Sequence, residues 1–375
     1  MKILAISALA LLFAAPMARA QSTVQVPSTL PVPASTVQVP ASTVSGTVPL
    51  VIPPGCGLNP ATSTSPASVT CGVAPPNSGF PPPIPVRTKV APGSGGTDDK
   101  AIYAAAAKGP IEITPGQYKM NSSSLPSNAD VWCDDGAVLS DVQGYGPYDA
   151  MFALDGVSNI KFVGSRNKGT ACLLTLPNSY KKNAASNDQN VNQYNNAFWM
   201  ERTNNILLDG IQVVQSGGDS FYTGSQANGT HIAYVYSNDP IRNGCSVTDQ
   251  TTNTHIEFST FTGAHNKPAG IMDGCDIEPN GSGQGQPNPG QFIKSLLMND
   301  NDFTGNAQTG LCTCFWFLSS QTPIDVTLLR NKGTFDRSNW PSPMNGAVVE
   351  MGNSWNILTG RIQARKTSGQ THKLN

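Results

Sequence analysis

Acidic side chains gather where three short segments of this sequence share one pattern. The segments are Gly218-Asp219-Ser220-Phe221-Tyr222-Thr223, Arg242-Asn243-Gly244-Cys245-Ser246-Val247 and Asp273-Gly274-Cys275-Asp276-Ile277-Glu278, with Asp249 closing the second. Each runs from turn residues through a small residue into alternating side chains, as a strand with one inward and one outward face requires. Stacked in one parallel sheet, Phe221, Cys245 and Cys275 fall inward. Tyr222, Ser246 and Asp276 then form one outer row and Gly224, Thr248 and Glu278 the next. Asp276 and Glu278 are expected to face solvent together, two positions or roughly 6.5 to 7 Å apart. That is near the spacing at which one carboxylic acid protonates a glycosidic oxygen while another activates water with inversion. Asp276, Glu278, Asp249 and Asp219 are therefore the candidate catalytic groups. Arg242, expected beside Asp219 and Asp273, could bind a sugar carboxylate, or hold one Asp ionised while burial and repulsion raise the pKa of another. Asp273 has a competing reading as a plain turn residue.

Other residues fit substrate contact. Tyr222 lies in the outer row, and Phe315-Trp316-Phe317 places a ring outward, so Trp316 is either a sugar platform or core. Lys267 lies in a loop with His265, and the polar stretches 177–196 and 279–291 are long enough to wall a groove. Histidine offers little: His231 and His255 sit at repeat positions, and no metal-binding pair or Ser-His-Asp order stands out. Cys312-Thr313-Cys314 lacks clustered histidines, so no metal or other cofactor is expected for hydrolysis. The eight cysteines allow four disulfides. Cys56 with Cys71 is the local choice; Cys245 and Cys275, neighbours on adjacent coils, form either a disulfide or a stack of thiols.

The elements that must position these groups repeat along the chain. Asn159-Ile160-Lys161-Phe162, Asn205-Ile206-Leu207-Leu208, His231-Ile232-Ala233-Tyr234 and His255-Ile256-Glu257-Phe258 form one column. Later copies lie at Ile293-Lys294-Ser295-Leu296, Asp325-Val326-Thr327-Leu328 and Asn356-Ile357-Leu358. From Ile206 to Ile232 and on to Ile256 the steps are 26 and 24 residues. The carboxylate segments, with Gly346-Ala347-Val348-Val349-Glu350, form a second column. Two or three strands per repeat fit a coil of a parallel β-helix better than a four-stranded propeller blade, with a sandwich or jelly roll as the rival fold. Before the repeats, Thr97 or Asp98 can cap a short alanine-rich helix ending near Lys108-Gly109. Residues 111–120 read as a strand pair around Pro115-Gly116.

Composition agrees with an all-β body, since 13% of residues are charged and the net charge is −1. No long-range field attracts nucleic acid. Met1-Lys2, the apolar run 3–15 and Met17-Ala18-Arg19-Ala20 have the three parts of a signal peptide, so residues 1–20 are expected to be removed. The mature protein is expected to be secreted or periplasmic, monomeric and not inserted in a membrane. Residues 21–92, where Ser22-Thr23-Val24-Gln25-Val26-Pro27 recurs at 35–40, form a disordered Pro/Ser/Thr/Val-rich linker. A parallel β-helix domain at 93–360 and a tail at 361–375 complete the organisation.

Gly95-Gly96-Thr97-Asp98-Asp99-Lys100-Ala101-Ile102 and Ile113-Thr114-Pro115-Gly116-Gln117-Tyr118 resemble the amino-terminal cap and first coil of pectate-lyase-superfamily (pectin lyase-like) proteins. Arg242-Asn243-Gly244-Cys245-Ser246-Val247 and Cys275-Asp276-Ile277-Glu278-Pro279-Asn280 are similar to segments of bacterial right-handed β-helix repeat proteins. The resemblance covers most of 93–360. It implies a right-handed parallel β-helix acting on a polysaccharide or oligosaccharide, and leaves three chemistries. A glycoside hydrolase would use the paired carboxylates. A uronate lyase would use Arg242 or Lys267 as base, with Ca2+ neutralising the substrate. A carbohydrate-binding adhesin would use the solenoid for display alone.

Overall fold

The computed structural model of the chain describes residues 37–38, 56–59, 68–71, 86–146, 149–167, 169–185, 195–264, 273–278, 291–306, 309–312, 323–336 and 345–358. The chain divides into two units at Pro82/Pro83. In the first, Ser68–Cys71 pairs antiparallel with both Val37–Gln38 and Cys56–Asn59, and Cys56 stands opposite Cys71 in the ladder.

The second unit is a right-handed parallel β-helix. Each full coil contributes three strands, and strands of successive coils pair in parallel to form three columns. One coil runs through Asn204–Asp209, Gln212–Val214 and Phe221–Gly224, and the next through Asn228–Ala233, Tyr236–Asn238 and Cys245–Thr248. Two of the columns join at the carboxy-terminal end, where Thr309–Cys312 pairs with Lys332–Asp336. Parallel neighbours cannot be linked by hairpins, so the chain travels round the coil before the next strand of a column pairs with the last. The first strand of the stack is Thr88–Val90, paired with Ile111–Ile113. Against that end packs the helix Asp99–Ala106. Asp98 precedes it but does not cap it with its side chain; its carboxylate instead accepts the amides of Gly93 and Lys119, both at 2.7 Å.

Inward positions carry the apolar residues, stacked coil on coil. Phe152, Phe198 and Phe221 are fully buried, with successive ring centroids 5.2 and 5.8 Å apart. In another column Phe261 and Phe303 stack at 5.4 Å, and Phe261 meets Phe221 edge-on at 6.4 Å. At one corner, Asn301, Asn331 and Asn353 form a ladder. Each side-chain oxygen accepts an amide from the coil before it: Ser259 N at 3.0 Å, Asn301 N at 3.0 Å and Asn331 N at 2.8 Å. Each side-chain amide donates to a carbonyl of the preceding coil. Buried turns need such partners because a backbone amide without one loses its hydrogen bonds to water unreplaced.

Three local expectations need correction. Ile111–Ile113 and Gly116–Met120 do not pair with each other; they join different columns, and Pro115 marks a corner of the coil. Ile232 stands opposite Leu208, so the coil step is 24 residues here as it is from Ile232 to Ile256. A two-residue slip leaves the inward face unchanged, because side chains alternate with period two. Finally, Asn345–Met351 continues the first column through Pro323–Leu329, whereas Ser354–Leu358 pairs with Lys332–Asp336 in another. Neither segment thus lies in the column its pattern suggested: the strand it pairs with sets Ser354–Leu358 where the other two columns join.

Candidate carboxylate site

The three acidic segments do stack. Phe221 stands opposite Cys245, and Cys245 opposite Cys275, with Tyr222, Ser246 and Asp276 in the outer row. Two positions on, Thr248 stands opposite Glu278, and Gly224 stands opposite Glu201 one coil earlier. On the inner side, Cys245 and Cys275 form a disulfide with Cα atoms 4.4 Å apart, fastening the two coils directly behind the site. Cys133 and Cys172 form a second.

Arg242 is the centre of the outer face. Its Nη1 lies 3.1 Å from Asp219 Oδ2, and its Nη2 lies 4.0 Å from Asp276 Oδ2 and 3.8 Å from Glu278 Oε2. Asp219 also accepts Ser246 Oγ at 2.8 Å and the Asn243 amide at 3.0 Å. It belongs to a ladder: the Asp219 amide donates to Asn196 Oδ1 at 2.7 Å, and the Asp273 amide to Asn243 Oδ1 at 3.0 Å. Asn196, Asp219, Asn243 and Asp273 thus occupy one turn position on successive coils, and the Asp219 carboxylate serves the backbone as well as the site.

The expectation that Asp276 and Glu278 face solvent is overturned. Asp276 is fully buried and Glu278 is 6% exposed, with Ser246 and Thr248 buried beside them. The outward face of this column is itself covered, a long-range property that strand alternation does not encode. Neither Asp276 oxygen has a hydrogen-bond partner. Burial, then the Glu278 charge, pushes its carboxyl well above the usual range, against the pull of Arg242. Asp219 is also raised by burial, although Arg242 and its hydrogen bonds oppose this. Burial works against the charge on Arg242, but Asp219, Glu278 and Asp276 together hold the guanidinium protonated. Asp249, half-buried at the edge, is pushed up to about 7 by burial and by the charges of Glu278 and Glu201.

Tyr222 is where the pattern placed it, and its hydroxyl accepts Thr248 Oγ1 at 3.0 Å. A Cβ on Gly224 would come within 2.8 Å of that hydroxyl, so glycine is what lets the ring fold back over the next position. Sequence reasoning missed Trp199 and Glu201. Trp199 stands opposite Tyr222 one coil earlier, ring centroids 5.2 Å apart, and Glu201 stands opposite Gly224. Both lie in the alternating strand Phe198–Glu201, whose outward positions could have been read by extending the two rows one coil back. Lys267 and Trp316 lie outside the described residues, as do His265 and most of the 279–291 loop.

This arrangement can hold several carboxyl groups in different protonation states around one fixed cation, beside a half-buried aromatic pair. No family model matches the chain, and no curated protein matches it. Among solved structures, the chain is similar to a polygalacturonase from Erwinia carotovora, at 12% identity and a TM-score of 0.46, over 74% of this chain and 80% of that one. It is also similar to an endo-xylogalacturonan hydrolase from Aspergillus tubingensis, at 12% identity and a TM-score of 0.42, over 73% and 94%. PfbA, a surface adhesin of Streptococcus pneumoniae, matches at 11% identity and a TM-score of 0.44, over 72% and 80%. Function is argued from the site, because one fold hosts many activities.

Proposed function

We propose that the chain is a secreted glycoside hydrolase acting on a polysaccharide, with Asp249 and Glu278 as the reacting carboxyl groups. The observation that supports this is the gathering of Asp219, Asp276 and Glu278 around Arg242, with Asp249 pushed up by burial and by the charge of Glu278. Burial and the charges of Glu278 and Glu201 push the Asp249 carboxyl up to about 7, which suits a group that must give up a proton at neutral pH. Glu278 lies 3.8 Å from the guanidinium and serves as the base that takes a proton from water. Asp276, fully buried and with two unpartnered oxygens, is a carboxyl that burial and the Glu278 charge keep uncharged behind the reacting pair. Trp199 and Tyr222 supply the ring faces on which a pyranose packs. Arg242 holds the acidic groups together, and Asp219 holds Arg242 and the turn.

Elimination is less well supported. A lyase needs a basic side chain free to take a carbon-bound proton, and Arg242 is engaged by three carboxylates. Secretion is supported by the signal-peptide pattern and by the two disulfides, which persist in oxidising compartments. The test is Glu278→Gln. It is expected to lower kcat by about two to four orders of magnitude while leaving oligosaccharide binding in place, and full activity in a folded Glu278→Gln protein would remove Glu278 from the reaction.

A further inference from the structure

On the outside of a different column, three ligand-type side chains converge. His231 and His255 are opposite one another on adjacent strands, and Glu257 lies one outward position beyond His255. The residue opposite Glu257 is Ala233, too small to fill the space, so His231 reaches across it. His231 Nε2 lies 2.9 Å from Glu257 Oε1, and His255 Nε2 lies 3.4 Å from Glu257 Oε2. The two imidazoles stack at 4.7 Å with their planes 2° apart. One donor atom from each residue lies within 4.8 Å of the others. Asn299, on the following coil, brings its Oδ1 to 2.6 Å from His255 Nε2.

We propose that His231, His255 and Glu257 bind a divalent transition-metal ion, Zn2+ foremost. Tetrahedral zinc with bonds of about 2.0–2.1 Å sets its donors about 3.3 Å apart, and the two nitrogen-to-carboxylate distances straddle that edge. Two imidazoles and one carboxylate select a borderline ion over Ca2+ or Mg2+, which prefer oxygen donors. Asn299 Oδ1 or water completes the shell. Burial holds His255 below the usual imidazole range. Burial pushes Glu257 up, but hydrogen bonds from His231 and Asn299 and its electrostatic interaction with the two histidines bring it below the usual carboxylate range. The ion would fasten three successive coils on a column separate from the carboxylate site, a structural role.

The experiment is titration of metal-stripped, untagged full-length protein with ZnCl2 near neutral pH, alongside His255→Ala, Glu257→Gln and a control lacking the other two histidines, His265→Ala/His372→Ala. The expected result is one zinc per chain with Kd at or below ~10 µM, at least tenfold weaker in His255→Ala and Glu257→Gln and unchanged in the control. Co2+ should give the visible absorption of a four-coordinate site in the wild type, a readout that needs no variant to fold. Absence of stoichiometric zinc binding by the wild type, or equal affinity in a folded His255→Ala protein, would overturn the site.

Discussion

Residue 249 gives the most direct handle on the chemistry. With Asp249 pushed up to about 7 and acting as the proton donor, turnover should fall as pH rises through about 7 and the donor ionises. Asp249→Asn should abolish that limb of the kcat profile together with about two orders of magnitude or more of rate. A profile unchanged in shape would assign the ionisation elsewhere. Asp276→Asn should be milder, within about tenfold, because a group kept neutral by burial is replaced by a neutral amide of the same shape. The stacking of Asp276 and Glu278 was legible from strand alternation, but their burial was not. Whether an outward row meets solvent depends on what other coils and turns lay over it. The His231, His255 and Glu257 cluster was half legible, since the 24-residue step puts the histidines side by side. Its third member follows only from the register that sets Ala233 opposite Glu257.

At the scale of elements, the coils are fastened at a few points behind and beside the strands. The Cys245–Cys275 bridge closes 30 residues of chain, and Cys133–Cys172 closes 39. Loop-closure entropy puts each at about 3.5 to 4 kcal/mol. Cys245→Ala/Cys275→Ala should therefore lower the denaturant midpoint by an amount equivalent to about 2–4 kcal/mol, and an unchanged midpoint would mean that strand pairing alone holds these coils. The columns themselves were legible as recurring alternating segments, and the paired registers agree with them from Phe221 through Cys275. The corners were harder. Asn345–Met351 and Ser354–Leu358 carry the same alternating signal, and only strand pairing shows which column each joins.

For the whole molecule, buried acids make stability depend on pH in an unusual direction. Asp276, Asp219 and Asp249 bind protons more tightly folded than their ordinary values imply. The folded state therefore holds more protons than the unfolded one between about pH 4 and the raised folded pKa values, and stability falls as pH rises through that window. Thermal midpoints should climb from pH 8 to pH 5, then decline at lower pH as Asp135 and Asp302, held below the usual range by side-chain partners that outweigh burial, become protonated. Asp249→Asn should flatten the upper part of that slope, and a midpoint that rises steadily from pH 5 to 8 would contradict the burial of these carboxyls. The central claim, hydrolysis of a polysaccharide, is tested most directly by digesting a panel of neutral and uronate polysaccharides. Reducing ends and the ultraviolet absorbance of unsaturated uronates should be followed together, with and without a calcium chelator. The predicted result is new reducing ends without absorbance, insensitive to the chelator; absorbance rising with the reducing ends would establish elimination and contradict the assignment of Asp249 and Glu278 as a hydrolytic pair.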